Sequence, residues 1–260
     1  MTAKSNPLTK SDPLRIPRLC ENEVRFYREQ GYLIIPGLLG DDAAASLRQE
    51  VLTVMAHSES PEGKLRQSLE YLAGSGLDRL INSPPLRGLA SQLMEGPSTL
   101  YMPFTAVKSP GGGQFHFHQD NQYTRFDGPG INLWFGLNEM SPENGCLMVI
   151  PRSHLQGTLL SVDSGDGDHH RKVDYEPADF FPIRMRPGDC VAFSRLTVHG
   201  SGANSSSDPR VAYAVQFHRD DVKALREGGE WRLLTDSPRW NPRPVVAFST
   251  GPREESLDGH

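Results

Sequence analysis

Residues 114–157 read QFHFHQDNQYTRFDGPGINLWFGLNEMSPENGCLMVIPRSHLQG, and this stretch decides the fold of the chain. Three of its segments predict β-strands. In QFHFHQD and INLWFGLNEM, alternate residues differ in character, so each segment would present two different faces as a strand. CLMVIP is a short apolar run typical of a buried strand. SPENG forms a tight turn before CLMVIP. Several short strands separated by turns predict an antiparallel β architecture.

The residues before this stretch predict mainly helices. A polar, proline-rich arm covers residues 1–20, and ENEVRFYREQ then predicts a helix that ends near Gly31. A short strand follows at YLII, and Asp41 and Asp42 are expected to cap a helix over DDAAASLRQEVLTVMAHS. Residues 60–94 predict helical or mixed structure. LYMPFTAVKS, from Leu100, predicts the first strand of the main body.

The residues after this stretch predict further strands. Ser161 to Asp179 is polar and poor in aliphatic residues, which indicates a mobile loop. Two strands are expected around the Pro187-Gly188-Asp189 turn, and RVAYAVQFHRD predicts another. The tail from about Asp236 is polar and proline-rich. The chain is therefore expected to be mainly β with flanking helices, a jelly roll (double-stranded β-helix, cupin-like) in one domain over residues 21–260.

Composition excludes several classes of function. The chain has 260 residues and a formal net charge of -5, so no basic surface indicates nucleic-acid binding. No apolar run approaches the roughly 18 residues needed to span a bilayer, and the N-terminus lacks the apolar region of a signal peptide. Three dispersed cysteines argue against a disulfide framework or a structural zinc site. We expect a cytoplasmic protein that acts on a small molecule, of unknown oligomeric state.

The triplet His118-Gln119-Asp120 is the first candidate for chemistry. Alternate residues of a strand point to the same face, so the imidazole and the carboxylate are expected side by side. They would supply two ligands of a 2-His-1-carboxylate facial triad, the geometry of non-haem Fe(II) oxygenases. An isolated triplet of this kind is also compatible with a structural imidazole–carboxylate pair.

A second set of residues adds the missing parts of such a site. His199 lies 81 residues after His118, Ser201 follows two residues later, and Arg210 starts the next predicted strand. An oxygenase that consumes a 2-oxoacid needs a buried cation for the distal carboxylate, and the arginine fork matches a carboxylate bidentately. The combined pattern of His118, Asp120, His199, Ser201 and Arg210 at these spacings is more specific for such an oxygenase than any single residue in it.

Five segments resemble, in order, the motifs of the phytanoyl-CoA dioxygenase family of Fe(II)/2-oxoglutarate oxygenases. They are FYREQGYLIIPGLLGDDAAASLRQEV, FHFHQD, ENGCLMVIPRSHLQG, RPGDCVAF and HGSGANSSSDPRVAY. The resemblance extends from about Glu23 to Phe217. It implies a dioxygenase that uses Fe(II), 2-oxoglutarate and O2, and that hydroxylates an unactivated C–H bond with release of succinate and CO2.

The resemblance also implies roles for particular residues. The iron ligands and catalytic residues would be His118, Asp120 and His199, and the 2-oxoglutarate contacts would be Arg210, Ser201 and Trp134. From pattern alone, Trp134 fits a plain core position equally well. Gly113 and Phe117 flank the site where relatives vary, so the substrate does not follow from the family.

Substrate contacts are expected from the residues that directly follow the triplet, namely Asn121, Gln122, Tyr123 and Arg125. The 161–179 loop is placed to close over them. Its His169-His170-Arg171-Lys172 run, together with Arg125, mildly favours an anionic small molecule such as a carboxylate or phosphonate, although a solvated loop explains the run as well. His116 is expected beside the site rather than as a ligand, and His154 is expected to be structural.

Alternatives to hydroxylation remain open at this stage. The same cofactors also drive desaturation, epoxidation or cyclisation in secondary metabolism. A jelly roll that binds a small molecule without catalysis would show the loss of a ligand, and the chain retains all three. A zinc hydrolase of cupin type would leave Arg210 without a role.

Overall fold

The computed structural model describes residues 18–57, 65–165, 170–226, 228–235 and 243–247. Within these ranges the chain forms four α-helices, α1 Glu21–Gln30, α2 Asp41–Ala56, α3 Gly76–Ile81 and α4 Pro84–Met94. Most of the predicted N-terminal arm and most of the predicted C-terminal tail lie outside the described residues. Leu19, at the end of the arm, is buried in the hydrophobic core.

The first two helices lie where the sequence predicts them. Helix α1 ends at Gly31, whose left-handed backbone donates to the carbonyl of Tyr27. The expectation that Asp41 and Asp42 cap α2 is wrong, because the N-cap is Gly40 and no side chain caps the helix. Both aspartates lie instead in the first turn, where a negative charge favours the helix dipole.

Sixteen strands occur in the described residues. They are β1 Tyr32–Ile35, β2 Leu65–Arg66, β3 Glu70–Leu72, β4 Ser98–Lys108, β5 Phe115–His118, β6 Gly130–Gly136, β7 Leu147–Val149, β8 Ser161–Asp163, β9 Arg171–Val173, β10 Phe181–Pro182, β11 Cys190–Ser194, β12 His199–Ser201, β13 Arg210–Arg219, β14 Lys223–Leu225, β15 Trp231–Leu233 and β16 Arg243–Val245.

Ten of these strands build two antiparallel sheets that face each other. The major sheet has the order β1-β11-β6-β13-β4-β2, and the minor sheet has the order β10-β7-β12-β5. Apolar side chains from both sheets, such as Phe193 in β11 and Val149 in β7, pack in one cluster between them. The predicted jelly roll is therefore confirmed.

Strand β6 shows how the sequence builds three layers. Its residues alternate, so Leu133 and Phe135 pack in the cluster that contains the apolar faces of α2 and α4. Trp134 lies on the other face, in the cluster between the two sheets. The strand is thus buried on both faces, and the helices cover the side of the major sheet that faces away from the minor sheet.

Within the predicted loop of residues 161–179, the described residues include two strands, and residues 166–169 lie outside the described ranges. Strands β8 and β9 pair as an antiparallel hairpin within it. Arg171 closes the hairpin, because its side chain donates to both the hydroxyl and the backbone carbonyl of Ser161. The sequence analysis did not predict these two strands, because two short polar segments leave no periodic signal, and the mobility of the segment stays a prediction. Across the described ranges, none of the helices is long and apolar enough to cross a membrane.

We expect Gly188→Ala to lower the free energy of unfolding by about 3 kcal/mol. Gly188 has a φ of 89°, and a Cβ there would lie 2.4 Å from the carbonyl oxygen of Leu39. Urea denaturation measures the change. Gly74→Ala is the matched control, since its φ is 74° and no atom lies within 4 Å of its Cβ position. Equal losses in the two variants would contradict a steric role for Gly188.

Candidate functional site

A cavity of about 350 Å³ lies between the two sheets. Its wall includes His118, Asp120, Trp134, His199 and Arg210, which are spread over more than ninety residues of the sequence. The structure therefore brings together the residues that the sequence singled out for metal and cosubstrate binding.

His118 and His199 lie side by side on two neighbouring strands of the minor sheet. They are direct Cα partners in the β5–β12 ladder, and their ring centroids are 4.2 Å apart. The Asp120 Oδ1 atom lies 3.9 Å from Nε2 of His118 and 3.7 Å from Nε2 of His199. One ligand atom from each residue lies within 4.8 Å of the others, which is a cluster able to hold a metal ion.

The route by which Asp120 reaches this cluster differs from the prediction. Strand β5 ends at His118, and Asp120 opens the 3-10 helix Asp120–Gln122. Strand alternation alone therefore does not place the two side chains together. The turn after the strand brings the carboxylate next to both imidazoles.

Both imidazoles are oriented by backbone carbonyls. Nδ1 of His118 lies 2.9 Å from the carbonyl oxygen of His116, and Nδ1 of His199 lies 2.9 Å from that of Thr197. A proton on Nδ1 leaves the Nε2 lone pair directed toward Asp120. Burial lowers the pKa of His118 to about 3 and that of His199 to about 4, so both rings are neutral at pH 7, as metal binding requires.

The second oxygen of Asp120 has its own support. Gln216 donates from Nε2 to Oδ2 at 3.0 Å, and Asn132 also hydrogen-bonds the carboxyl group. Burial raises the pKa of Asp120, and the interactions with His118 and Asn132 oppose this rise. The sequence analysis did not single out Gln216 or Asn132. Their signal is a polar residue on the inner face of an otherwise apolar strand.

Arg210 lies at one end of the cavity and is fully buried. None of its three guanidinium nitrogens has a hydrogen-bond partner among the described residues, and its Cζ atom lies 5.3 Å from the centre of the Trp134 ring. Burial lowers its pKa to about 10, which leaves the group charged at pH 7. A buried, charged and unpaired fork is costly on its own, so this arrangement indicates an anion-binding site.

Lys108 adds a second buried nitrogen beside Arg210. The two residues are Cα partners in the β4–β13 ladder, and Lys108 donates to the hydroxyl of Ser201 at 2.8 Å and to the carbonyl of Gly202. Burial, and then the charge of Arg210, lower the pKa of Lys108 to about 6. The sequence analysis missed Lys108, because one lysine at the end of a strand resembles an ordinary surface residue.

The predicted substrate contacts are divided by the structure. Tyr123 lies on the cavity wall and is 44% exposed. Asn121 is buried behind the wall and donates to the hydroxyl of Thr158 at 2.8 Å. Gln122 is half-buried outside the wall, and Arg125 is exposed and also outside it.

The histidines and the basic run outside the cluster also have defined places. His170 lies on the cavity wall, with its ring 4.7 Å from that of Phe115, whereas Lys172 forms an exposed ion pair with Glu176. His169 is not among the described residues. His154 bonds the carbonyl of Arg28, which agrees with its predicted structural role.

Comparison with known proteins agrees with this geometry. The sequence model of the phytanoyl-CoA dioxygenase family matches residues 27–212. A methylphosphonate hydroxylase from Gimesia maris is 28% identical over 225 residues, which cover 81% of this chain and 83% of that protein.

Solved structures share the fold. EvdO2 from Micromonospora carbonacea var. aurantiaca, in complex with 2-oxoglutarate, superimposes with a TM-score of 0.67 at 23% identity, covering 78% of this chain and 92% of that chain. SnoN, a non-heme alpha ketoglutarate dependent epimerase from nogalamycin biosynthesis, gives a TM-score of 0.66 at 25% identity, covering 90% and 96%.

We expect Gln216→Leu to weaken Fe(II) binding about tenfold to a hundredfold, because it removes a hydrogen bond that orients a ligand carboxylate. Anaerobic titration of the metal-free protein with Fe(II) measures the dissociation constant. Gln49→Leu, an exposed change on α2, is the matched control and should leave the affinity unchanged. An unaltered constant for Gln216→Leu would show that Asp120 needs no such support.

Proposed function

The chain belongs to the phytanoyl-CoA dioxygenase family of Fe(II)- and 2-oxoglutarate-dependent oxygenases, and from this premise we propose that it hydroxylates an unactivated C–H bond of a small molecule. The observation that carries the proposal is the convergence of His118, Asp120 and His199 beside a buried, unpaired Arg210. The similarity to a methylphosphonate hydroxylase supports hydroxylation as the outcome.

Under this proposal the three clustered residues hold Fe(II). Two neutral imidazoles and one carboxylate are the donor set of the 2-His-1-carboxylate triad of non-haem iron oxygenases, and these three side chains would hold the ion. Asp120 occupies the place that a halide would need, so halogenation is disfavoured. A non-catalytic binding role has no comparable support, since nothing in such a protein would require this ligand set.

The Arg210 end of the cavity binds 2-oxoglutarate in this proposal. The guanidinium takes the distal carboxylate, with the hydroxyl of Ser201 and the amine of Lys108 beside it. Trp134 supplies an apolar wall, with its ring against the guanidinium and the ring of Phe104. An anion there would offset the cost of burying two basic groups together.

The protein and the cofactors divide the chemistry. When bound, iron supplies the dioxygen chemistry that converts 2-oxoglutarate to succinate and CO2 and oxidises the substrate. The chain orients both organic molecules and keeps bulk water from the reaction. In this proposal Tyr123, which lies on the cavity wall, contacts the substrate directly, whereas Asn121, Gln122 and Arg125 lie outside that wall and are not assigned a contact.

A direct test is the anaerobic addition of Fe(II) and then 2-oxoglutarate to the metal-free protein. We expect the weak visible charge-transfer band of a 2-oxoacid chelated to iron. Asp120→Ala should lose both iron binding and the band, because it removes the only carboxylate of the described cluster. If iron binds to the wild-type protein without the band, the proposed cosubstrate is wrong.

We expect Arg210→Gln to raise the dissociation constant for 2-oxoglutarate about tenfold or more, because the loss of a charged hydrogen bond costs about 1.5–3 kcal/mol. The same band, followed during 2-oxoglutarate titration, gives this constant. Iron affinity should not change. Arg87→Gln, an exposed change on α4, is the control with matched chemistry. Equal constants for wild type and Arg210→Gln would remove Arg210 from the cosubstrate site.

A further inference from the structure

A second buried arginine, Arg195, lies on the wall of the same cavity and has no role in the proposed binding of iron or 2-oxoglutarate. It directly follows β11 and is only 7% exposed. Its backbone N–H donates to the carbonyl of Gly130, at the start of β6. Arg210 precedes Ala212, which pairs with Gly136 at the far end of that strand. Gly130 and Gly136 are about 20 Å apart along β6, so the backbones of the two arginines are separated by more than this distance.

The guanidinium of Arg195 is held in place but incompletely paired. Nη2 donates to the carbonyl of Pro129 at 2.7 Å, and Cζ lies 4.2 Å from the centre of the Phe126 ring. Nε has no hydrogen-bond partner, and Arg195 forms no ion pair with any residue that the structure describes. A Cβ at Gly130 would overlap the guanidinium, so the glycine makes room for it.

Charge balance distinguishes Arg195 from Arg210. In the proposed complex, the charges of Fe(II) and Arg210 are balanced by Asp120 and the two carboxylates of 2-oxoglutarate. Burial lowers the pKa of Arg195 only to about 10, so its charge persists at pH 7. Asp120 and the exposed Asp127 attract Arg195 but form no ion pair with it, so no described carboxylate is in contact with this buried charge, which is costly.

We propose that Arg195 binds an anionic group of the substrate, a carboxylate or a phosphonate. This inference rests on the proposed function and adds the substrate class. The guanidinium of Arg195 can form two parallel hydrogen bonds to either anion. Binding one end of the substrate in this way would determine which of its C–H bonds faces the iron. The cavity of about 350 Å³ must accept 2-oxoglutarate as well, so the part of the substrate that enters it is small.

Arg195 is a better anion site than the arginines and the lysine that the sequence suggested. Arg125 is exposed and lies outside the wall, Arg171 is engaged by Ser161, and Lys172 pairs with Glu176. Water weakens an interaction with an exposed cation, whereas the buried Arg195 acts at low dielectric. The competing explanation is a purely structural arginine that packs on Phe126 and bonds Pro129.

The test measures binding to the anaerobic protein loaded with Fe(II) and 2-oxoglutarate, by isothermal titration calorimetry. The probes are two pairs of similar shape, butanoate against butanamide and ethylphosphonate against the neutral, tetrahedral ethanesulfonamide. Each is titrated into wild type, Arg195→Gln, Arg195→Lys and the exposed control Arg87→Gln. The charge-transfer band is recorded before each titration, so that a failure of the proposed function is seen separately.

In the wild type, we expect at least one anion to bind about tenfold or more tightly than its neutral partner. Arg195→Gln should remove this preference and leave the 2-oxoglutarate constant within about twofold. Arg195→Lys should restore part of the preference, because it keeps the charge and loses the fork. The control should match the wild type.

Three results would overturn the proposal. The first is a wild-type protein whose affinity for neither anion exceeds that for its neutral partner. This result can be obtained without any variant. The second is an Arg195→Gln protein that keeps the full preference for the anion. The third is a large rise in the dissociation constant of that variant for 2-oxoglutarate, which would place Arg195 in the cosubstrate-binding site. Absence of the band in the wild type would instead contradict the proposed function.

Discussion

The pairing of β5 with β12 is the constraint on which the metal-ligand cluster depends. It sets His118 directly opposite His199, and residues so paired in an antiparallel ladder have Cα atoms only about 4.5–5.5 Å apart. Gly200 permits this pairing, because a Cβ there would lie 2.8 Å from the carbonyl oxygen of Phe115. A bulge follows His199, so the register that aligns the histidines does not continue to Ser201. The bulge interrupts the regular ladder directly after the residue pair that brings the two histidines together.

Burial gives the site its chemical character. It keeps His118 and His199 neutral and thus able to bind a metal, while Arg210 and Arg195 stay charged and form no ion pair with any described residue. Neutral imidazoles and charged guanidinium groups therefore line one cavity. The imidazoles are suited to a metal ion, and the guanidinium groups are suited to anions. All three guanidinium nitrogens of Arg210 and Nε of Arg195 have no hydrogen-bond partner among the described residues, which supports the two proposed anion sites near the ends of β6.

The sequence predicted the broad fold because its periodic signals are strong. The alternation in INLWFG and RVAYAVQFHR survives in β6 and β13, and the helix ending at Gly31 lies where glycine indicates it. The hairpin of β8 and β9 was missed because two three-residue polar strands carry no periodic signal. The Asp41 and Asp42 cap was misplaced by one residue, since an aspartate in the first turn is as favourable as one at the N-cap.

By itself, the sequence determined the jelly-roll class and the family, and it supplied His118, Asp120, His199 and Arg210 as candidates, because residue type and spacing along the chain carry that information. Only the tertiary structure decided which polar residues surround them. Gln216, Asn132, Lys108 and Arg195 carry no motif, and each resembles any other polar residue until strands distant in sequence are paired. Burial is a property of the assembled sheets, and burial is what turns these side chains into partners of the site.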